Sequence, residues 1–215
     1  MIFESRTHAG ILLADKLRKF KKSNAAVYAL PRGGVVIGAE IAKALNIPLD
    51  LIVSRKIGHP TYPEYAIGAI TEHGESAFNY TEVRLVDPQW LQNAIEEQFK
   101  EAKRRRKLYM AGKTEILAKD RIAIIVDDGI ATGYTMQAAI EDIRKQGPAS
   151  IVIAVPVVPR EKAQFFSAIV DEFIALDIPK TYAGAVGAYY LSFPQLTDED
   201  VIQNLEAVRP VAAKL

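Results

Sequence analysis

The chain contains no cysteine. Disulfides, zinc thiolate centres and thiol nucleophiles are thereby excluded, and the composition suits a reducing compartment. Net charge is also scarce: 27 Lys and Arg against 26 Asp and Glu leave a formal +1. Such a balance supplies no global basic field, which argues against bulk attraction to nucleic acid or a membrane surface. Long apolar runs are missing as well. The opening stretch MIFESRTHAGILLADKLRKF carries charges throughout, so it has neither the apolar core of a signal peptide nor a membrane span. These absences lead to the expectation of a cytoplasmic protein with no membrane partner.

What is present is a core-forming composition, 49% apolar over 215 residues. That suffices for one α/β domain with a small appendage and is too short for two ordinary domains. Ile11, Leu12, Ala14 and Leu17 lie at helical spacing among charges and predict an amphipathic helix ending at KKSN, 21–24. AAVYAL (25–30) is a short apolar strand, followed by PRGG (31–34) and a helix over VVIGAEIAKALN (35–46), closed by Asn46 and Pro48. LDLIVSRKI (49–57) reads as one strand, GHPTYPEY (58–65) as a long mobile loop, and AIGAIT (66–71) as the next strand. ESAFNYTEVRLV (75–86) reads as a strand pair or a bulged strand.

From Pro88 a helix runs to about Met110, with Leu91, Ile95, Phe99 and Ala102 as its buried stripe. Its run Arg104 to Lys107 reads as a solvated face near the helix C-terminus, favoured by the dipole, rather than a phosphate patch. Gly112, Lys113 and Thr114 resemble the end of a P-loop, but Lys107 stands where the earlier glycine is required, and the match fails. Downstream, Met136 to Lys145 is helical, SIVIAVPVV (150–158) a buried strand, REKAQFFSA (160–168) a helix and VDEFIAL (170–176) a strand. Strands alternating with helices imply crossovers and a parallel sheet. The tail is aromatic and loop-rich until a last helix opened by Thr197 and the acids after it.

One stretch combines unlike chemistries: IAIIVDDGIATGYT, 122–135. Its apolar run is short, β-branched and not alternating, as a parallel strand buried on both faces reads. Beyond the strand, Gly129 to Thr135 turns into a helix. The amides of Ala131 to Thr135 can converge there with the hydroxyls of Thr132 and Thr135 on a phosphate, with Gly133 allowing close approach. Asp127 and Asp128 repel that phosphate, so their partner must donate hydrogen bonds or carry positive charge. Vicinal ribose hydroxyls and a magnesium ion satisfy both conditions. The bland alternative is an acidic strand end capping the following helix.

This stretch resembles the signature of type I phosphoribosyltransferases, which binds phosphoribosyl pyrophosphate (PRPP). The resemblance implies that Asp127 and Asp128 hold the ribose hydroxyls and help place Mg2+, while Gly129 and Ala131, Thr132, Gly133, Tyr134 and Thr135 surround the 5-phosphate. Tyr134 departs from the glycine many members carry, and either shields the site or touches the acceptor. LPRGGVVIG resembles the family's pyrophosphate loop, with Arg32, Gly33 and Gly34 meeting the diphosphate and a cis peptide often present. VSRKIGHPTYPEY places Arg55 and Lys56 before the mobile loop, matching its basic pair. His59 either assists in the closed loop or is merely exposed. With the tail included, the chain is most similar to a branch of predicted phosphoribosyltransferases of unassigned substrate.

The implied fold is a Rossmann-like parallel sheet flanked by helices. It would form a single domain over 1–215, with a core of about 23–175 and a hood from the N-terminal helix and about 176–215. The implied activity is PRPP-dependent transfer of a 5-phosphoribosyl group to a nitrogen acceptor, a nucleobase or related heterocycle, with release of pyrophosphate. Asp127, Asp128, Arg55 and Lys56 would carry catalysis, loop 57–66 would close over the site, and a homodimer is expected. Tyr182, Tyr189, Tyr190 and Phe193 either stack on the acceptor or pack the hood. Two other classes remain: a PRPP-sensing regulator that has lost transfer, and a generic phosphate-ester binder or hydrolase.

Overall fold

The computed structural model describes residues 1–208. Ser5 opens α1 (Arg6–Lys16), its side chain accepting from the His8 amide as an N-cap serine does. Strand β1 (Ala25–Ala29) leads to α2 (Gly33–Leu45), which stops at Asn46 in the left-handed region, φ 54°. The single strand expected over 49–57 is instead two, β2 (Leu49–Leu51) and β3 (Ser54–Gly58), in different sheets. At the break the Val53 amide donates to the Glu72 carboxylate at 2.8 Å. Apolar character is continuous across that break and conceals it.

Strand β4 (Ala66–Thr71) and β5 (Ser76–Phe78) follow. The second strand expected within 75–86 is a helical turn, α3 (Tyr80–Val83), because the Asn79 side chain caps the Thr81 and Glu82 amides. Helix α4 (Pro88–Tyr109) starts at an Asp87 cap with proline in its first turn. The remainder is β6 (Ile122–Val126), α5 (Tyr134–Lys145), β7 (Ser150–Val157), α6 (Arg160–Ser167), β8 (Glu172–Asp177) and α7 (Asp198–Glu206). Thr197 and Asp200 close a reciprocal capping box at the start of α7.

The main sheet has five strands in the order β2-β1-β6-β7-β8, all parallel. Successive side chains of its central strands go to opposite faces. Ile124 and Val126 join the core under α1 and α2, whereas Ala123 and Ile125 join the core under α5 and α6. Burial on both faces is why 122–126 shows no alternation. Each fully buried isoleucine contributes roughly 1.5–3 kcal/mol, so the motif strand is anchored from both sides. The type I phosphoribosyltransferase architecture expected of the sequence, a parallel sheet flanked by helices, is the one observed.

A second, antiparallel sheet, β3-β4-β5, packs under α4. Leu91, Ile95 and Phe99 cover Ile57, Ile67 and Ile70, while Ala102 and Tyr109 meet Leu51, Val53 and α7. The basic run on α4 is not uniformly a solvated face. Arg104 and Lys107 are exposed, but Arg106 donates to the buried Asp50 at 2.5 Å and to the Leu51 carbonyl at 2.9 Å. A run of like charge looks solvated until tertiary structure brings Asp50 to it.

The N-terminal segment and the tail lie together: the Phe3 amide donates to the Tyr189 carbonyl and the Leu191 amide to the Phe3 carbonyl, each 2.8 Å. Residues 209–215 of the expected hood lie outside the described residues. Among the described residues no helix is long and apolar enough to cross a membrane.

Candidate active site

Chain connections diverge between β1 and β6. From β1 the chain proceeds to β2 on one side, and β6 with its successors lies on the other. Ligands of open α/β sheets bind in the crevice at the carboxyl ends of such strands. Ala29 and Val126 are register partners, so Pro31–Gly34 and Asp127–Gly133 leave adjacent strand ends side by side. The two segments singled out in the sequence, far apart along the chain, thus face one another.

Their contact is close enough to require glycine. A Cβ on Gly33 would stand 1.8 Å from Asp128 Oδ2, and one on Gly34 would stand 2.7 Å from the Val126 carbonyl. The Pro31–Arg32 peptide is cis. Gly133 adopts φ 86° as the cap of α5, a conformation that glycine alone takes without steric cost. Ala131 is exposed and Thr132, Tyr134 and Thr135 are half-exposed, while Gly129 is buried against Val186. The helix start carries first-turn amides that have no intrahelical acceptor, beside residues partly open to solvent.

Asp127 accepts from the Asp128 amide at 2.8 Å. Burial, then the adjacent Asp128 charge, pushes its carboxyl above the usual range. Burial also raises Asp128, against the pull of Arg6, whose Nε donates to Asp128 Oδ2 at 2.8 Å. The Arg6 side chain is only 9% exposed. It also donates to the Pro194 carbonyl at 2.9 Å and lies 3.6 Å from the centre of the Phe193 ring. Two adjacent carboxylates with one guanidinium, bonded to Asp128 alone, leave an acid surplus. A donor set of this kind fits a hard divalent cation.

Arg6 escaped the sequence reading, which gave it no role. The one local signal was weak: a cation at the first position of a helix opposes the dipole. Asp198 and Tyr109 were missed for a different reason, their distance in sequence. Arg32 donates from Nε to Asp198 at 3.1 Å and to the Leu196 carbonyl at 2.9 Å. The Tyr109 hydroxyl donates to the same carboxylate at 2.6 Å.

Arg55 and Lys56 are consecutive on β3 and so point to opposite faces of the small sheet. Arg55 donates to Gln98 on α4 at 3.1 Å. Burial, then Arg105, lowers its guanidinium, and Arg32 contributes in the same direction. Lys56 is exposed and pairs with Glu64 in the loop at 2.8 Å. The expected loop 57–66 is shorter, since Ile57 and Gly58 belong to β3 and Ala66 to β4. Its residues 61–65 are exposed. His59 accepts from the Thr61 amide at 3.2 Å and stacks on Tyr62.

Tyr134 is raised by burial, and Tyr65, Asn79 and Glu82 act on its hydroxyl, so it sits toward the small sheet's loops. The hood aromatics divide. Tyr189 and Tyr190 are buried in the core with Phe3, and the Tyr190 hydroxyl donates to the Asp128 carbonyl at 2.7 Å. Phe193 lies against Tyr190 and Arg6. Tyr182 stacks on Tyr189, yet its buried hydroxyl has no hydrogen-bond partner.

Fold, switch-point position and the two facing loops define a type I phosphoribosyltransferase domain. A family model described as a phosphoribosyl transferase domain matches residues 4–191, and the chain belongs to that family. Mycobacterium tuberculosis H37Rv has a protein provisionally named phosphoribosyl transferase Rv0571c. It is 39% identical over 207 residues, which cover 95% of this chain and 46% of that protein. The equivalent protein of strain CDC 1551, MT0597, matches to the same extent. The chain thus spans about half the length of the curated relatives it matches. Among solved structures, TT1426 from Thermus thermophilus is similar with a TM-score of 0.78 and 40% identity, covering 95% of this chain and 98% of that one.

Proposed function

We propose that the protein transfers the 5-phosphoribosyl group of PRPP to a nitrogen acceptor, a nucleobase or related heterocycle, and releases pyrophosphate. The observation that carries this reading is the juxtaposition at the β1/β6 switch point of an acid pair, an amide-rich helix start and a second loop pressed against them. Family membership supports the same chemistry.

In this reading the amides of Ala131 to Thr135, with the Thr132 and Thr135 hydroxyls and Gly129 and Gly133, hold the 5-phosphate. Asp127 and Asp128 accept from the ribose hydroxyls. Arg32, Gly33 and Gly34 meet the diphosphate, for which Arg32 exchanges its bond to Asp198. Arg55 and Lys56 add positive charge as the loop 59–65 closes and excludes water. Because charge builds on the ribose as the leaving group departs, these groups act by positioning and neutralisation, with no covalent nucleophile. Asp127 and Asp128 would also hold Mg2+, which supplies neutralisation of diphosphate charge when bound. The acceptor would lie under the hood, where Tyr182 offers a buried hydroxyl in need of a partner. A homodimer in the cytoplasm completes the proposal.

The test is pyrophosphate release from Mg2+ and PRPP across a panel of purines, pyrimidines and other nitrogen heterocycles. Release that depends on one base supports transfer and names the acceptor. Calorimetric binding of PRPP without release for any base turns the reading toward a sensor or an acceptor outside the panel.

A further inference from the structure

On the far end of α5 from the phosphate loop, Glu72, His73 and Asp142 each offer one ligand atom, and these atoms lie within 4.8 Å of one another. Glu72 and His73 follow β4, whereas Asp142 belongs to α5, so the cluster joins the small sheet to the main one. His73 Nδ1 stands 2.9 Å and 3.0 Å from the two Asp142 oxygens. Side-chain exposure is 3% for Asp142 and 2% for Glu72, but 41% for His73, which leaves one side open to solvent.

A second observation points to a ligand. Glu72 Oε2 accepts from the Val53 amide, but Oε1 is buried without a hydrogen-bond partner. The nearest cation, Arg106, keeps its Nε 3.9 Å from Oε1 and directs its donors to Asp50, Leu51 and Glu115. A buried carboxylate oxygen without a partner is costly, and it requires a proton or a cation. The other ring nitrogen of His73 points toward Glu115, 3.5 Å away. Metal-bound histidines characteristically have a carboxylate behind the ring in this way.

We propose that Glu72, His73 and Asp142 form a site for one zinc-class divalent cation that pins the β4–β5 turn to α5. One imidazole and two carboxylates suit Zn2+ in tetrahedral coordination, with water from the open side in the fourth position. The inference does not depend on the transferase reading.

The experiment titrates Zn2+ into the full, chelator-stripped chain by calorimetry and follows thermal unfolding with and without Zn2+. The parent is expected to bind one equivalent saturably and to unfold at a higher temperature with Zn2+. His73→Gln, on an exposed turn, should keep the fold and lose both effects. Glu115→Gln should bind about tenfold or more weakly, and Asp127→Asn with Asp128→Asn should bind Zn2+ as the parent does. Absence of saturable binding, or equal binding and stabilisation in His73→Gln and the parent, overturns the proposal and assigns a proton to Glu72.

Discussion

Asp127 and Asp128 are adjacent acids in a crevice where Arg6 bonds to Asp128 and the Asp128 amide donates to Asp127. Replacing both with Asn is expected to abolish transfer while leaving the fold intact; normal turnover in the double variant would remove the acids from the proposed site. Asp127→Asn alone bears on stability. Its carboxyl is pushed up by burial and by Asp128, so its ionisation opposes folding, with full effect above the raised value and none below the unfolded value near 3.9. At neutral pH the substitution should stabilise the ligand-free protein by on the order of 1 kcal/mol, read as a higher urea midpoint. Arg6→Gln acts in the opposite sense. It strips the partner from a largely buried carboxylate and should cost about 1–3 kcal/mol in the same assay.

At the scale of elements, β3 carries the basic pair proposed for the diphosphate and α7 holds Arg32 through Asp198. Replacing Arg55 and Lys56 together with Ala should weaken binding of PRPP and of pyrophosphate, with ribose 5-phosphate binding nearly unchanged in parallel calorimetric titrations. Equal losses for all three would remove the pair from the diphosphate end. On α7, the Tyr109 hydrogen bond, then Arg32, holds Asp198 below the usual carboxylate range. A depressed carboxylate stabilises the fold above its unfolded value and loses that contribution as pH falls through its folded value. The docking of α7 should therefore weaken below about pH 4. Thermal midpoints collected down the acid limb should fall for the parent and fall less for Asp198→Asn, which has no such proton to gain.

For the whole molecule, two sheets of unequal burial predict a graded response to opening. β1, β6 and β7 are buried almost throughout, whereas β5 and the loop 61–65 are exposed or half-exposed. Amide hydrogen exchange should be slowest in the central parallel strands and fastest in β5 and that loop, with intermediate rates in the edge strand β8. Uniform protection across both sheets would contradict this gradient.

Local patterns in the sequence carry their own physics. A five-residue run such as Ile122–Val126, closed by polar residues and without alternation, suits a strand buried on both faces, Asn46 marks a helix end by its left-handed backbone and Thr197 a helix start by its side-chain cap, and the motif at 127–135 supplies first-turn amides at a helix start. Those features made the parallel sheet, the loop proposed to hold phosphate and the family resemblance legible before any coordinates. Contacts between distant segments have no local signature. The partition of 49–57 between sheets depends on Glu72, the role of Arg106 on Asp50, the grip of Arg6 on Asp128 and the tether of Arg32 on Asp198. A charged side chain looks the same in sequence whether water or a buried counter-charge awaits it, and only the tertiary fold, by choosing which segments are desolvated together, decides between them.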